Sequence, residues 1–204
     1  MNEFDKKAQE WDMNKMHLER TMAVAGQLKK LIPFKPNMKA LEFGAGTGLL
    51  SFYLKELFSE ITLMDSSREM LKMAEQKMEE ADLLKFKTRF FNLEQEKYVG
   101  NTFDIIYSQM VLHHIKDIND ILQKFFGILN PGGILAIADL YKEDGSFHGE
   151  EVDVHKGFDP VNLTEIFHQF GFRDIKVAPC FVIRKGSSPA EIIEYPVFLL
   201  TAMK

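Results

Sequence analysis

The sequence predicts an α/β domain on a mostly parallel sheet that ends in an antiparallel pair of strands. Three observations lead there. Short β-like runs alternate with amphipathic helical stretches along most of the chain, a glycine-rich turn joins the first strand-like run to a helix, and the last two extended runs have no helical pattern between them.

The elements follow in order. Leu18, Met22, Ala25, Leu28 and Ile32 recur at helical spacing, and Pro33 and Pro36 close that helix. Lys39–Phe43 reads as a buried strand, followed by the turn and a helix carrying Leu50, Tyr53, Leu54 and Leu57. Ile61–Met64 is the second strand. Ser66-Ser67-Arg68-Glu69 reads as a capping box in which the Ser66 hydroxyl and Glu69 carboxylate satisfy open amides, ahead of a helix with Met70, Ala74 and Met78 on its apolar face. Phe86–Phe91 and Phe103–Ser108 are the next strands. Ile118, Ile121, Leu122 and Phe125 line a helix that closes near Gly127. Asn130-Pro131-Gly132-Gly133 is a turn into the apolar strand Ile134–Ala138. Asp159 and Pro160 are an N-cap and first helical residue, Leu163, Ile166, Phe167 and Phe170 form the apolar face, and Gly171 is the stop. Ile175–Ile183 and Pro196–Met203 then pair across a polar turn at Lys185–Pro189. Residues 142–158 are polar and glycine-punctuated, the character of a lid or binding loop.

Composition narrows the function. The 204 residues are 46% apolar and 27% charged, enough to bury a full core. Eighteen Phe and eleven Met suggest a core or pocket of large, adaptable side chains. The net charge of −5, with no long basic cluster, makes nucleic acid an unexpected ligand. No apolar run spans a bilayer, so no membrane is expected. The first residues lack a signal-peptide core, and Cys180 is the only cysteine, which together suggest a reducing cytoplasm.

The chemistry concentrates in Leu41-Glu42-Phe43-Gly44-Ala45-Gly46-Thr47-Gly48-Leu49. Glycines at a strand-to-helix junction let the backbone approach a ligand closely, and open helix N–H groups face it. Leu49 stands where the dinucleotide fingerprint needs its last glycine. Asp65, at the end of the second strand, is placed to accept both hydroxyls of an adenosine ribose.

These motifs, in this order, resemble the class I S-adenosylmethionine-dependent methyltransferases, in particular their small-molecule, type-11-like group. Phe103-Asp104-Ile105-Ile106 with Val111-Leu112-His113-His114-Ile115, and Leu129-Asn130-Pro131-Gly132-Gly133-Ile134-Leu135, add to the resemblance, which runs from about Phe4 to Gly171. It implies a Rossmann-like three-layer sandwich whose seven-stranded sheet has an antiparallel last strand. It also implies one domain over 1–204: an N-terminal helical cap (1–36), a cofactor-binding core (37–140), a lid loop (141–158) and a C-terminal helix with the strand pair (159–204). S-adenosyl-L-methionine is the implied cofactor, with Glu42, Gly44, Ala45, Gly46, Thr47, Asp65, Ser66, Asn92, Leu93 and Ser108 as its contacts. Asn92 stands where the family commonly has an aspartate; its side-chain oxygen can still accept from an adenine amine, or it can cap a turn. Ser108-Gln109-Met110-Val111 lacks the Asn/Asp-Pro-Pro-Tyr/Phe motif of enzymes that methylate nucleic-acid amines.

A small-molecule methyl acceptor is the expected partner. Transfer from a sulfonium needs no nucleophilic side chain and no metal, so the catalytic candidates His114, Tyr141 and His155 are weak ones. His113 and Asp139 lie near the same strand ends. His148, Glu151, Asp153 and His155 are metal-competent but not at zinc-site spacing, and no metal is expected. Trp11, alone among charged residues, reads as a lid aromatic, and Cys180 as an inert buried thiol. Three other readings remain: a non-catalytic S-adenosylmethionine-binding sensor or partner domain, a nicotinamide-dependent oxidoreductase, and a protein-modifying methyltransferase whose acidic surface attracts basic substrates. The acceptor's identity and the oligomeric state are not readable from the sequence.

Overall fold

The computed structural model describes residues 3–149, 152–186, 188 and 191–204. Seven strands form one sheet: β1 Lys39–Phe43, β2 Glu60–Asp65, β3 Phe86–Phe90, β4 Phe103–Gln109, β5 Leu129–Leu140, β6 Arg173–Lys185 and β7 Ile193–Met203. Their order is β3-β2-β1-β4-β5-β7-β6, with β7 antiparallel to both β5 and β6. The helices are α1 Glu3–Lys7, α2 Lys15–Leu31, α3 Leu49–Leu54, α4 Arg68–Glu80, α5 Ile118–Ile128 and α6 Pro160–Gln169. This is the Rossmann-like seven-stranded architecture, antiparallel at one strand. No helix among the described residues is long and apolar enough to cross a membrane.

Strand periodicity of two splits the apolar residues between the faces. Ile105 and Tyr107 point into a core with Val24, Leu28, Leu54 and Ala74. Ile106 points the opposite way, among Leu122, Phe125 and Phe167. Chain order reverses at β1, which pairs with β2 on one side and β4 on the other. In open α/β sheets that switch point is where a crevice opens beyond the strand ends.

Several local expectations are corrected. On α2 the expected face holds at Ala25, Leu28 and Ile32, but Met22 is 55% exposed, because Arg20, Thr21 and Val24 also turn inward and widen the buried face on its other side. Tyr53 lies on the outer side of α3. The cap of α4 is Ser67, whose hydroxyl accepts from Met70 N, whereas Ser66 is exposed. Asn130–Gly133 lie within β5 beside a register shift against β4, rather than in a separate turn. Asp159 does cap α6, accepting from Val161 N at 2.8 Å, and Gly171 follows that helix at φ +90°. The Lys185–Pro189 turn includes Ser187 and Pro189, which lie outside the described residues.

Candidate active site

A cleft of about 840 Å³ opens at the switch point. Its floor is the turn after β1. Gly44 and Gly46 adopt φ of +65° and +55°, a region that penalises a side chain. A Cβ on Gly44 would run into Val111, with Cγ1 at 2.7 Å, so only glycine keeps this stretch of backbone open to the cleft.

Two carboxylates hold the turn. Asp65, ending β2, accepts from Gly46 N and Ser67 N, both at 2.7 Å. Burial pushes its carboxyl above the ordinary range, against the pull of these amides. Glu42 on β1 reaches across the turn to Ser51 in α3, accepting from its N–H at 3.1 Å and from its hydroxyl. The Ser51 hydroxyl also meets Tyr107 OH of β4 at 2.6 Å. Burial raises Glu42 to about 8, so the neutral acid predominates at neutral pH.

The cleft gathers Glu42, Gly44, Ala45, Gly46, Asp65, Ser66, Asn92, Leu93 and His114 on its lining. Four other sequence candidates lie elsewhere. Ser108 is buried and donates to Phe43 O at 2.8 Å, stitching β4 to β1. The Thr47 hydroxyl donates to Asp12 at 2.6 Å, because the N-terminal segment packs against the turn from outside. Tyr141 stacks edge-on to Phe198 at 5.4 Å. His155 packs its ring on Phe158, and its backbone N–H donates to His113 O at 2.8 Å. Asn92 Oδ1 accepts from Glu94 N at 3.0 Å, so it forms a turn as well as facing the cleft.

The N-terminal segment, with Phe147, His148 and residues 152–154 of the irregular stretch, forms the far wall. Asp12 bonds Thr47 and Lys77, and Asp5 accepts from the Ser67 hydroxyl at 2.5 Å, pinning the N-terminal helices to α4 and the turn. Trp11 lines the cleft and packs on His17, ring centroids 4.3 Å apart. Phe147 and His148 descend from the irregular segment, with Lys185 Nζ 3.6 Å from the Phe147 ring centroid. Of the expected metal-competent quartet, Glu151 lies outside the described residues. His148 turns into the cleft, while His155 does not line it.

Some lining residues gave no motif-level signal. Among the described residues, two buried side-chain atoms lack a partner, Arg20 Nε and Gln109 Oε1, and both side chains line this cleft. Burial lowers Arg20 to about 10. An orphan cationic donor and an orphan neutral acceptor complement the carboxylate and ammonium of an amino acid. His113 is held by Asp139, Nδ1 to carboxylate at 2.6 Å, with both side chains fully buried. Arg20 was hidden because it interrupts an apolar helical pattern, whereas Asp139 and His113 were both expected near these strand ends and prove to be partners.

A glycine cradle, a carboxylate ending β2 and an amino-acid-complementary wall define a nucleoside-cofactor domain suited to S-adenosylmethionine. Residues 41–135 match the family described as a methyltransferase domain. The matched stretch holds the glycine turn, Asp65 and β4, and marks a methyltransferase domain within the chain. Over 159 residues it is 29% identical to an uncharacterized methyltransferase of Schizosaccharomyces pombe, covering 70% of this chain and 56% of that protein. A phosphoethanolamine N-methyltransferase of Triticum aestivum is 30% identical over 154 residues, covering 71% of this chain and 30% of that protein. The chain thus spans about half of one relative and under a third of the other. Haemonchus contortus phosphoethanolamine N-methyltransferase 2, solved with S-adenosyl-L-methionine, superposes with a TM-score of 0.71 at 16% identity, covering all of this chain and 60% of that one.

Proposed function

We propose that the chain transfers the methyl group of S-adenosylmethionine to a small-molecule acceptor held at the far end of the same cleft. One observation carries this reading: a single cleft runs from the glycine turn and Asp65 to a wall of Trp11, Arg20, His114 and Phe147. Its volume is near the top of the roughly 300–1,000 Å³ range of small-molecule sites, which suits two ligands side by side.

The cofactor supplies an electrophilic sulfonium methyl; the chain supplies position and dryness. Asp65 accepts from ribose hydroxyls, Asn92 and Leu93 border the base, and Arg20 with Gln109 would hold the amino-acid end. Neutral Glu42 keeps the turn rigid through Ser51 without placing a second buried charge beside Asp65. Phe4, Trp11 and Phe147 exclude water, so residues 1–36 act as a cap and 141–158 as a lid. His114 lines the acceptor end of the cleft. Lys7 and Lys185 on the lining favour an acceptor with an anionic group, an inference that the phosphoethanolamine-methylating relatives support.

The test is acceptor-dependent formation of S-adenosylhomocysteine across a panel of small amines, phenols and thiols with and without phosphate or carboxylate groups. Turnover with an anionic member supports the reading. Tight cofactor binding without turnover on any member would favour the sensor alternative. Leu49 in the fingerprint position and the antiparallel β7 weigh against the nicotinamide alternative.

A further inference from the structure

Three histidines converge at the acceptor end of the cleft. His113 and His114 sit in the short 3-10 turn Leu112–His114 after β4, and His148 comes from the irregular segment 35 residues later. One ring nitrogen from each lies within 4.8 Å of the other two, and His113 Nε2 is 3.0 Å from His148 Nε2. We propose that these three imidazoles bind a divalent transition cation, zinc above all, which ties the 142–158 segment to the turn after β4.

The donor set selects the ion. Three neutral nitrogens suit zinc and its first-row neighbours, and exclude magnesium and calcium, which require oxygen. Nitrogens about 2.0–2.1 Å from a tetrahedral zinc lie roughly 3.3–3.4 Å apart. The His113–His148 pair is already near that separation, and His114 needs only a modest ring movement to join it. Asp139 completes the arrangement. Its Oδ1 is 2.6 Å from His113 Nδ1 and also accepts from Leu140 N at 2.7 Å; its Oδ2 accepts from His113 N at 3.2 Å. A carboxylate on Nδ1 fixes the tautomer that presents the Nε2 lone pair outward, the outer support that zinc-ligating histidines characteristically have. Three protein ligands leave a fourth position, and all three histidines line the cleft, so that position faces the acceptor space. The competing account is a simple hydrogen bond from His148 Nε2–H to His113 Nε2.

The experiment uses the full chain and does not depend on methyl transfer. Protein loaded with Zn²⁺ is dialysed and its metal content measured, Co²⁺ loading is followed by visible absorption, and Mg²⁺ serves as the competitor. One cation per chain should be retained, with a tetrahedral Co²⁺ spectrum and no displacement by Mg²⁺. His148→Ala, a half-buried position that should fold, is expected to weaken binding at least about 100-fold, and Asp139→Asn roughly 10–100-fold. His168→Ala, on α6 with its ring bonded to Phe172 O, should bind as wild type does. Chelation should lower the melting temperature of wild type and leave that of His148→Ala unchanged. Equal retention by wild type and His148→Ala, or no retention by wild type, overturns the proposal and leaves the histidine–histidine hydrogen bond.

Discussion

Replacing Glu42 by glutamine isolates the energetic consequence of a buried acid beneath the cofactor turn. The glutamate titrates at its ordinary 4.5 in the unfolded chain and near 8 when folded. The folded value is raised, so this group's contribution is full below pH 4.5 and is lost as pH climbs towards 8, while the unfolded carboxylate is ionised and the folded one is not. Integrating over that window, wild type loses roughly 3–4 kcal/mol between pH 5 and pH 8 from this residue alone. That is a large share of a typical domain stability of about 5–15 kcal/mol. Glutamine keeps the shape, because its amide oxygen can accept from the N–H and hydroxyl of Ser51 and its NH₂ takes the place of the acid proton. Urea unfolding at pH 5, 6.5 and 8 reads the difference between the two proteins. Glu42→Gln should gain on wild type as pH rises, reaching roughly 3 kcal/mol of relative stabilisation by pH 8. A difference that stays constant across the three pH values would refute the reasoning.

Other perturbations follow from single contacts. Gly44→Ala forces a side chain into positive φ and against Val111, so it should cost about 1–2 kcal/mol or more, seen as a melting-point drop by calorimetry, and should also abolish S-adenosylhomocysteine binding. Asp12→Ala releases Thr47 and Lys77 together; the ion pair is partly exposed, so global stability should change by less than about 1 kcal/mol, while limited proteolysis within residues 3–13 accelerates. Cys180, its thiol pushed up to about 12 by burial, should be unreactive toward a disulfide reagent at pH 8 in the native protein and react fully in denaturant.

Legibility divides along physical lines. β1, β2, β4 and the glycine turn were readable because strand periodicity and positive-φ glycines are local properties. The β6–β7 ribbon was readable because two extended runs without a helix between them have few alternatives. Asp65 and Asn92 reach the cleft lining because one ends β2 and the other closely follows β3. Ser108 and Thr47 lie off the cleft lining, and their hydroxyls are taken by Phe43 O and Asp12, partners 65 and 35 residues away. The exposure of Met22 reflects how α2 rolls to bring Arg20 to the cleft, a tertiary choice that the helical repeat does not encode. His148 is drawn to His113 by the path of an irregular segment, which no spacing rule anticipates.

The central claim, cofactor binding across the glycine turn with Asp65 on the ribose, is tested most directly by titrating S-adenosylhomocysteine calorimetrically into wild type and Asp65→Ala. Circular dichroism verifies that the variant is folded. The account predicts binding at one site per chain in wild type and a loss of at least about 100-fold in the variant, where the ribose hydroxyls lose a charged acceptor. Equal affinity in the two proteins, or no binding by wild type at millimolar ligand, would contradict it.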